Sequence, residues 1–293
     1  MLPNQTGILK EIPSQARYLT FSLKNKKHFK ANLQAVRDMV DGDNTVMGIG
    51  RSLVIALVKD IPGLDVFPHH AGAGVDVPST PAALWFWLRG DDRGELIHRS
   101  RRIEHCLVPA FQMDTSVDAF SYKTGLDLTG FEDGTENPTG DDAVEAGIVQ
   151  GSGAGLDGSS FVAVQVWRHD LDVFGAMSDE EQDNTFGRHK SNNEEFDEAP
   201  ESAHVKRTAQ ESYDPEAFIV RRSMPWADAR QAGLVFVAFG KSFSAFATIL
   251  NRMVGNEDGI LDALFGFTRP LSGAYFWCPP IKQGRPDLSR LGF

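Results

Sequence analysis

The sequence has little cysteine, no long apolar run and no excess of positive charge, and each shortage excludes a class of protein. It contains 2 cysteines, Cys106 and Cys278, among 293 residues, which is too few for a disulfide-stapled scaffold. We find no run of about 18 apolar residues, so we expect no transmembrane helix. The net charge of -11 opposes binding to nucleic acid or to an anionic membrane surface.

Sequence signals for zinc, for export and for a dinucleotide are also missing. No H-E-x-x-H or C-x-x-C pattern occurs, so a zinc site is not expected. Residues 1–21 have no apolar core and no twin-arginine pair, so we expect a cytoplasmic protein whose two thiols are reduced. Residues Gly153–Gly158 fit G-x-G-x-x-G, but a strand pattern follows instead of a helix, which indicates a plain turn.

Hydrophobic patterning predicts the same order of elements in each half of the chain. Strand patterns at residues 18–23, 46–49, 53–58, 85–88 and 111–122 combine with helical patterns at 27–41 and 94–107. In the second half, strand patterns at 161–167, 234–239 and 274–277 combine with helical patterns at 178–189 and 243–254. This β-α-β-β-α-β order predicts an α+β fold of two ferredoxin-like units with antiparallel sheets. We expect an N-terminal half, 1–150, and a C-terminal half, 151–293, joined at the Gly- and Ser-rich seam Gly147–Ser160.

The most informative string is Gly130–Pro138, which reads Gly-Phe-Glu-Asp-Gly-Thr-Glu-Asn-Pro. Its glycines, with Asn137 and Pro138, break helix and strand and permit unusual backbone angles. Such a loop lets the backbone approach a bulky group and aims one short carboxylate, that of Asp133, at it. The alternative is an ordinary Asp-Gly turn with a solvated carboxylate.

Histidine and arginine supply a second informative region. His204 stands in Ser-Ala-His-Val-Lys-Arg-Thr, and Arg221 and Arg222 follow in Val-Arg-Arg-Ser-Met-Pro-Trp. The adjacent pair His69–His70 makes a poor metal site, because neighbouring side chains on an extended chain point in opposite directions. We expect His189, beside an acidic loop, to lie at the surface or at the rim of a site.

These strings together resemble the dye-decolourising peroxidases, and the order of Asp, His, Arg and Ser is similar to that of the bacterial class B subgroup. The resemblance implies a haem b peroxidase with one haem per chain. It makes Asp133 the residue above the iron, beside Gly134, and His204 the proximal ligand to the metal. It makes Arg221 the distal arginine, with Arg222 as its competitor, and places Ser223 two residues further on.

Haem peroxidase chemistry suits these residue types. Asp133 can act as general base toward peroxide, and Arg221 can stabilise charge on the departing oxygen and keep Asp133 ionised. Ser223 can orient a bridging water. The second nitrogen of His204 should donate to a carboxylate, and candidates lie at 257–262, where the family's pattern favours Asp262 over Asp258.

Other residues are expected around the ring. Arg207 suits a haem propionate, because a guanidinium binds a carboxylate through two bonds. Aromatic side chains could wall the ring or carry electrons, with ordinary core packing as the alternative: Phe131, Phe243, Phe246, Trp167, Tyr213 and Trp226.

The resemblance implies that hydrogen peroxide is reduced, and dyes or other aromatic reductants oxidised, through a ferryl state. A haem-handling or porphyrinogen-oxidising protein and a non-haem structural protein of the same fold remain alternatives. The family is usually oligomeric, so we expect a homo-oligomer, a dimer or larger. Some relatives carry a C-terminal tail that docks in encapsulin shells, and the last residues, Arg290–Phe293, show no such tail.

Overall fold

The computed structural model of the chain describes residues 3–72 and 74–293. The strands are β1 (Gln15–Leu23), β2 (Thr45–Ile49), β3 (His70–Gly72), β4 (Val75–Val77), β5 (Leu84–Gly90), β6 (Phe111–Phe120), β7 (Ser160–His169), β8 (Val220–Arg221), β9 (Met224–Ala227), β10 (Ala232–Gly240), β11 (Thr268–Pro270), β12 (Ala274–Cys278), β13 (Ile281–Lys282) and β14 (Arg285–Pro286). The α-helices are α1 (Phe29–Arg37), α2 (Arg51–Ala56), α3 (Arg93–Leu107), α4 (Gly140–Gly147), α5 (Leu171–Gly175), α6 (Asp179–Phe186), α7 (His204–Thr208) and α8 (Ser244–Met253). None of the helices described is long and apolar enough to cross a membrane.

The main sheet is antiparallel and closes on itself. Its order is β11-β7-β12-β2-β5-β1-β6-β9-β10-β8, and β10 also pairs with β7. This extra pairing joins β7, β12, β2, β5, β1, β6, β9 and β10 into a barrel. The first unit runs β1-α1-β2-β5-α3-β6, and the second runs from β7 through α5–α7 to β9, β10, α8 and β12. The predicted α+β fold of two ferredoxin-like units is therefore confirmed.

The barrel interior is a packed core. Alternate residues of the strands point inward and carry large aromatic side chains, among them Trp85, Trp87 and Phe239. Tyr18 stacks on both tryptophans with ring centroids 6.2 Å apart. The outward residues of the same strands pack against α1, α3 and α8 in a second, larger core. A ligand site therefore belongs on the outside of the barrel.

The strand predicted at residues 53–58 is wrong, because the chain forms helix α2 there. Leu53 and Val54 are buried, whereas Ile55 is 60% exposed and Val58 is 89% exposed. A strand would have placed Leu53 and Ile55 on the same face, which this burial contradicts. A short, wholly apolar run does not distinguish a strand from a buried helix, and Gly50, which caps α2 with extended backbone, ends the preceding strand.

Arg222 is a structural residue. Its guanidinium is buried and donates to the carbonyl oxygens of Ile8 at 3.0 Å, Leu9 at 2.9 Å and Arg221 at 2.9 Å. Burial, together with the positive charge of Arg89, lowers the pKa of Arg222 to about 10. The side chain thus joins the N-terminal segment to the strand β8 region, and Arg222 is no competitor for the distal position.

We expect Arg222→Met to lower the free energy of unfolding by about 3 kcal/mol, because buried carbonyl oxygens lose their donor. Urea unfolding followed by circular dichroism measures this change. Arg230→Met, at an exposed position, is the control and should stay within about 0.5 kcal/mol. Equal effects of the two substitutions would contradict the structural role of Arg222.

The glycine-rich segment 153–158, the two cysteines and the boundary between the halves complete the description of the fold. Gly153–Gly158 forms turns before β7, and Gly155 and Gly158 have φ of +78° and +86°. These positive angles suit glycine and belong to a turn, not to a phosphate-binding helix start. Cys106 and Cys278 are free thiols. The boundary between halves 1–150 and 151–293 stays a prediction.

Candidate functional site

A cavity of about 580 Å³ lies against the outer face of β7 and β10, and an apolar recess of about 100 Å³ adjoins it. The loop Gly130–Pro138 and helix α7 form other parts of the wall, and α8 lines the recess. Several residues line both spaces: Asp133, His169, His204, Thr208, Gln210, Arg221, Leu234, Leu264 and Thr268. The site therefore has a polar outer part and an apolar inner part, as a large amphipathic ligand requires.

His204, the first residue of α7, is fixed by a buried carboxylate. Its Nδ1 lies 2.7 Å from Oδ2 of Asp262, whose side chain is fully buried. The other oxygen, Oδ1 of Asp262, accepts from the backbone N–H of Leu264 at 2.9 Å. With Nδ1 donating to the carboxylate, Nε2 of His204 is the nitrogen left to bind a metal. Asp262, and not Asp258, is thus the carboxylate that contacts His204, and its role behind a haem ligand stays a prediction.

The glycines of the motif loop shape the backbone around Asp133. Gly130 and Gly134 have φ of +91° and +85°, angles that other residues adopt only with strain. Asp133 and Gly134 both line the cavity. The backbone N–H of Asp133 donates to the carbonyl of Gly125 at 3.3 Å, which folds the loop back on its own beginning.

Burial raises the pKa of Asp133 above its ordinary value, and the charge of Asp127 acts in the same direction. The positive charge of Arg221, then His204 and the N–H of Gly134, lower this pKa. Burial outweighs these groups, and Arg221 acts on this pKa in the direction that we expected, toward the ionised form.

Arg221 lies at the cavity wall, and the motif loop holds its backbone. The side-chain amide of Asn137 donates to the carbonyl of Arg221 at 2.7 Å and accepts from its N–H at 2.8 Å. Nε of Arg221 is buried and has no hydrogen-bond partner among the residues that the structure describes, which leaves it available to a ligand. Asn137 thus joins the loop that carries Asp133 to the strand that carries Arg221.

We expect Asn137→Ala to loosen this connection while the chain still folds, because both backbone groups of Arg221 lose a partner. The rate of reaction with peroxide should fall about tenfold, since catalytic groups must be held in place. Stopped-flow spectroscopy measures this rate. Asn251→Ala, on helix α8 with its amide bonded to Asn256, is the matched control, and an equal loss there would refute the positioning role.

Ser223 and Arg207 do not line the cavity. Oγ of Ser223 is buried and accepts from the backbone N–H of Val237 at 3.3 Å, so it is not placed to orient a water in the site. Arg207 is buried and makes a two-bond ion pair with Asp258, at 2.7 and 2.8 Å. The propionate role for Arg207 is therefore not supported, and Asp258 is occupied by Arg207, not by His204.

The structure adds a pair of residues that the sequence did not single out. Asp127 and His169 line the cavity, and Nε2 of His169 lies 3.1 Å from Oδ1 of Asp127. Nδ1 of His169 lies 2.7 Å from Oγ1 of Thr268. A lone histidine at a strand end gives no sequence signal, although Asp127 stands shortly before the motif loop.

Arg188 and neighbouring residues form the polar outer part of the cavity. Its guanidinium contacts Glu136 at 3.1 Å, pairs closely with Glu195 and donates to the carbonyl of Asn193 at 2.9 Å. The side chain of Asn193 in turn donates to Glu132 at 2.9 Å. These contacts join the segment 188–195 to the motif loop.

Aromatic residues mostly have packing roles. Phe131 lines the cavity and stacks on Phe186, with ring centroids 4.0 Å apart. Phe246 and Trp167 line the apolar recess. The others pack elsewhere: Phe243 on Tyr275, Tyr213 under Arg252, and Trp226 with its indole N–H on the carbonyl of Trp167.

The remaining conspicuous histidines lie away from the cavity. His69 contacts Asp76 at 2.7 Å on the β3–β4 hairpin. His189 contacts Asp183 at 2.9 Å and is half-exposed, which agrees with the surface position predicted for it. His204 is thus the histidine whose carboxylate partner is fully buried.

The fold is similar to that of solved dye-decolorizing proteins. The dye-decolorizing protein from V. cholerae has a TM-score of 0.85 at 25% identity, over 95% of this chain and 97% of that one. DyPB from Rhodococcus jostii RHA1 has a TM-score of 0.85 at 25% identity, over 94% and 95% of the two chains, and its variants were solved in complex with heme.

Sequence comparison gives the same family. A dye-decolorizing peroxidase of Brevibacterium linens is 31% identical over 243 residues, covering 80% of this chain and 66% of the relative. One from Mycolicibacterium paratuberculosis is 30% identical, over 73% of this chain and 61% of its own. The chain thus spans just under two thirds of the length of these relatives. The model of the Dyp-type peroxidase C-terminal domain matches residues 124–283, and the chain belongs to the Dyp-type peroxidase family.

Proposed function

We propose that this protein is a haem-dependent peroxidase that reduces hydrogen peroxide and oxidises dyes or other aromatic reductants. The observation that carries the proposal is His204, whose Nδ1 contacts buried Asp262 at 2.7 Å, at the wall of a cavity that Asp133 and Arg221 also line. A proximal histidine supported by a carboxylate is a common arrangement for haem iron in peroxidases.

The residues present fit a haem. The apolar recess is lined by side chains suited to the hydrocarbon part of a porphyrin, among them Phe236, Ile249, Leu250 and Met253. Among the residues that line the outer cavity, Arg188 and Asn193 carry hydrogen-bond donors for the charged edge of the ring. The buried Nε of Arg221 has no partner within residues 3–72 and 74–293, and a buried donor of this kind indicates a missing acceptor. One haem b per chain would be held by His204, beside Gly134.

The chain's own groups would handle the proton and the charge. When bound, haem supplies the iron at which peroxide is reduced and the reductant is oxidised. Ionised Asp133 accepts the proton of the incoming peroxide and returns it to the departing oxygen. The guanidinium of Arg221 stabilises negative charge on that oxygen. Asp262 keeps His204 in the tautomer that leaves Nε2 free.

The cellular context extends the proposal. Two free thiols support a cytoplasmic protein, and relatives of this type support a homo-oligomer, a dimer or larger. The class B assignment is compatible with the likeness to DyPB. We also propose that half 1–150 carries the distal Asp133 loop and half 151–293 carries His204.

The decisive experiment is an absorption spectrum of the purified protein with a haem extraction, followed by a peroxide-dependent dye assay. We expect a Soret band, about one haem per chain and dye oxidation that requires hydrogen peroxide. A protein that stays colourless after incubation with haem would exclude this function. A haem-loaded protein that does not react with peroxide would instead favour haem handling.

A further inference from the structure

Gln210 is a buried residue of the cavity wall that the proposed chemistry leaves unused. It stands two residues after the end of helix α7, which begins at His204, and only 4% of its surface is exposed. It lines both the outer cavity and the apolar recess. A buried amide needs hydrogen-bond partners, so the partners of Gln210 show what its side chain holds in place.

The two ends of this amide group bond to two different segments of the chain. Nε2 of Gln210 donates to the carbonyl oxygen of Glu136 at 2.9 Å, and Oε1 accepts from the backbone N–H of Ile219 at 2.9 Å. A carbonyl can only accept and a backbone N–H can only donate, so these partners fix the orientation of the amide. The backbone carbonyl of Gln210 also accepts from the N–H of Ala217 at 2.9 Å.

These partners flank the two distal residues of the proposed site. Glu136 stands three residues after Asp133 in the motif loop, and Ile219 stands two residues before Arg221. One side chain therefore holds the motif loop and the approach to strand β8 against each other. A shift of Gln210 would move the backbone next to both distal residues.

Gln210 differs from Asn137, the other amide that holds this region. Asn137 belongs to the motif loop and bonds to the backbone of Arg221 at 2.7 and 2.8 Å, so it joins two distal elements to each other. Gln210 reaches them from the segment after α7. The carbonyl of His204 accepts from the hydroxyl of Thr208 at 2.8 Å, which ties the first residue of α7 to its last. A short bonded connection thus runs from the proposed iron ligand to the distal residues.

The chemistry of Gln210 restricts it to an indirect role. Its side chain has no titratable group, so it cannot take a proton from peroxide or return one. It can determine the distances between groups that do react. A misplacement of about 1 Å in a reacting group can cost roughly 100-fold in rate, so a connection of this kind has a measurable effect.

We propose that Gln210 is a positioning residue that joins helix α7 to the motif loop and to strand β8. Through these bonds it sets the positions of Asp133 and Arg221 relative to His204. The kinetic part of this inference rests on the proposed peroxidase function, whereas the hydrogen-bonded connection does not.

The connection is tested by hydrogen exchange of the purified protein, followed by NMR with and without haem. The amide of Ile219 should be protected, and in Gln210→Met, which keeps a similar volume but has no amide group, it should exchange at least tenfold faster. The amide of Arg222, which donates to the carbonyl of Val237 at 2.8 Å, is the reference and should not change. An unprotected Ile219 amide in the unaltered protein would overturn the proposal, whatever the protein's function.

The positioning is tested by the reaction of haem-loaded Gln210→Met with peroxide, alone and combined with Arg221→Ala. We expect Gln210→Met to keep its haem and to lower the rate constant about tenfold. In the Arg221→Ala background we expect the same substitution to lower it no more than about twofold, because residues that act through each other are not additive. The affinity of the ferric protein for fluoride, an anion that accepts hydrogen bonds, should show the same pattern without turnover.

A merely structural role predicts a different result. Gln210→Met would then lower the rate constant by the same factor in both backgrounds, and this outcome would overturn the positioning role. If Gln210→Met does not fold, Gln210→Asn takes its place, because it keeps the amide group but is one methylene too short to reach both partners.

Gln5→Met is the matched control for the loss of a buried amide. Gln5 is fully buried and bonds to backbone groups of Met47 and Pro279, and none of these three residues lines the cavity. Gln5→Met should leave the rate constant with peroxide unchanged, and a tenfold loss there would also overturn the proposal. Failure of the unaltered haem-loaded protein to react with peroxide would refute the proposed function, and the exchange result would then judge Gln210 alone.

Discussion

Replacing His204 with alanine is expected to remove most bound haem from the purified protein, with at least a tenfold loss of the Soret band per chain. Nε2 of His204 would be the protein's bond to the iron, and Asp262, fully buried at 2.7 Å from the ring, would lose its partner. A carboxylate left buried and unpaired is costly. The measurement is haem extraction against protein concentration, together with the absorption spectrum.

Two controls separate the loss of a ligand from general damage. His189→Ala removes a half-exposed histidine with its own carboxylate partner and should keep full haem content. Asp262→Asn should retain haem but change the spectrum and lower the basicity of His204. Unchanged haem content and spectrum in His204→Ala would show that His204 is not the ligand.

Replacing Arg221 or Asp133 with alanine is expected to leave haem bound and to slow the reaction with peroxide. Loss of a preorganised charge at Arg221 should lower the second-order rate constant roughly 10²–10³-fold. Loss of a general base at Asp133 should lower it about 10²–10⁴-fold. Stopped-flow mixing of each haem-loaded variant with hydrogen peroxide measures the rate constant.

The fall in the rate of reaction with peroxide at low pH distinguishes Asp133 from Arg221. Because Asp133 acts as a base only when ionised, and burial raises its pKa, the rate should fall as pH drops through that raised pKa. Arg221 lowers the pKa of Asp133, so in Arg221→Ala the fall should begin at higher pH. In Asp133→Ala this fall in rate at low pH should disappear.

Arg222→Lys is the matched control for the arginine, because Arg222 is buried beside Arg221 but bonds only to backbone carbonyls. Arg222→Lys should lower the free energy of unfolding but leave the rate constant of the reaction with peroxide nearly unchanged. Wild-type rates in both Asp133→Ala and Arg221→Ala would exclude the distal assignment. If only Asp133→Ala reacts with peroxide at the wild-type rate, Arg221 is the group on which this reaction depends.

The sequence predicted the fold well where periodicity is clear. Strands with alternating burial and helices such as α8, with Phe246, Leu250 and Met253 on one face, were visible from spacing alone. Helix α2 was missed because its residues form a short apolar run without period. Spacing alone could not establish closure of the barrel, since pairing between distant strands leaves no local signal.

The candidate site was predictable where one motif carries several residues. Asp133, Arg221, His204 and Gly134 were predicted from such strings, and the structure brings all of them to one cavity, with their roles still proposals. Ser223 and Arg207 were misplaced, because spacing fixes neither the direction of a side chain nor its competing partner. Whether a side chain meets Val237 or Asp258 depends on tertiary packing.

The closure of the barrel has a consequence for the order of folding. Each strand junction between the two units is short: β2 pairs with β12 only at Ile49 and Trp277, and β6 pairs with β9 at Ala119 and Trp226. Within each unit the pairings are long, as between β1 and β6 or β7 and β10. Because long loops close at an entropic cost before distant contacts form, we expect the two units to fold separately and the strand junctions between them to form last. Amide hydrogens at these two strand junctions should then exchange with solvent faster than those in the cores of the two units.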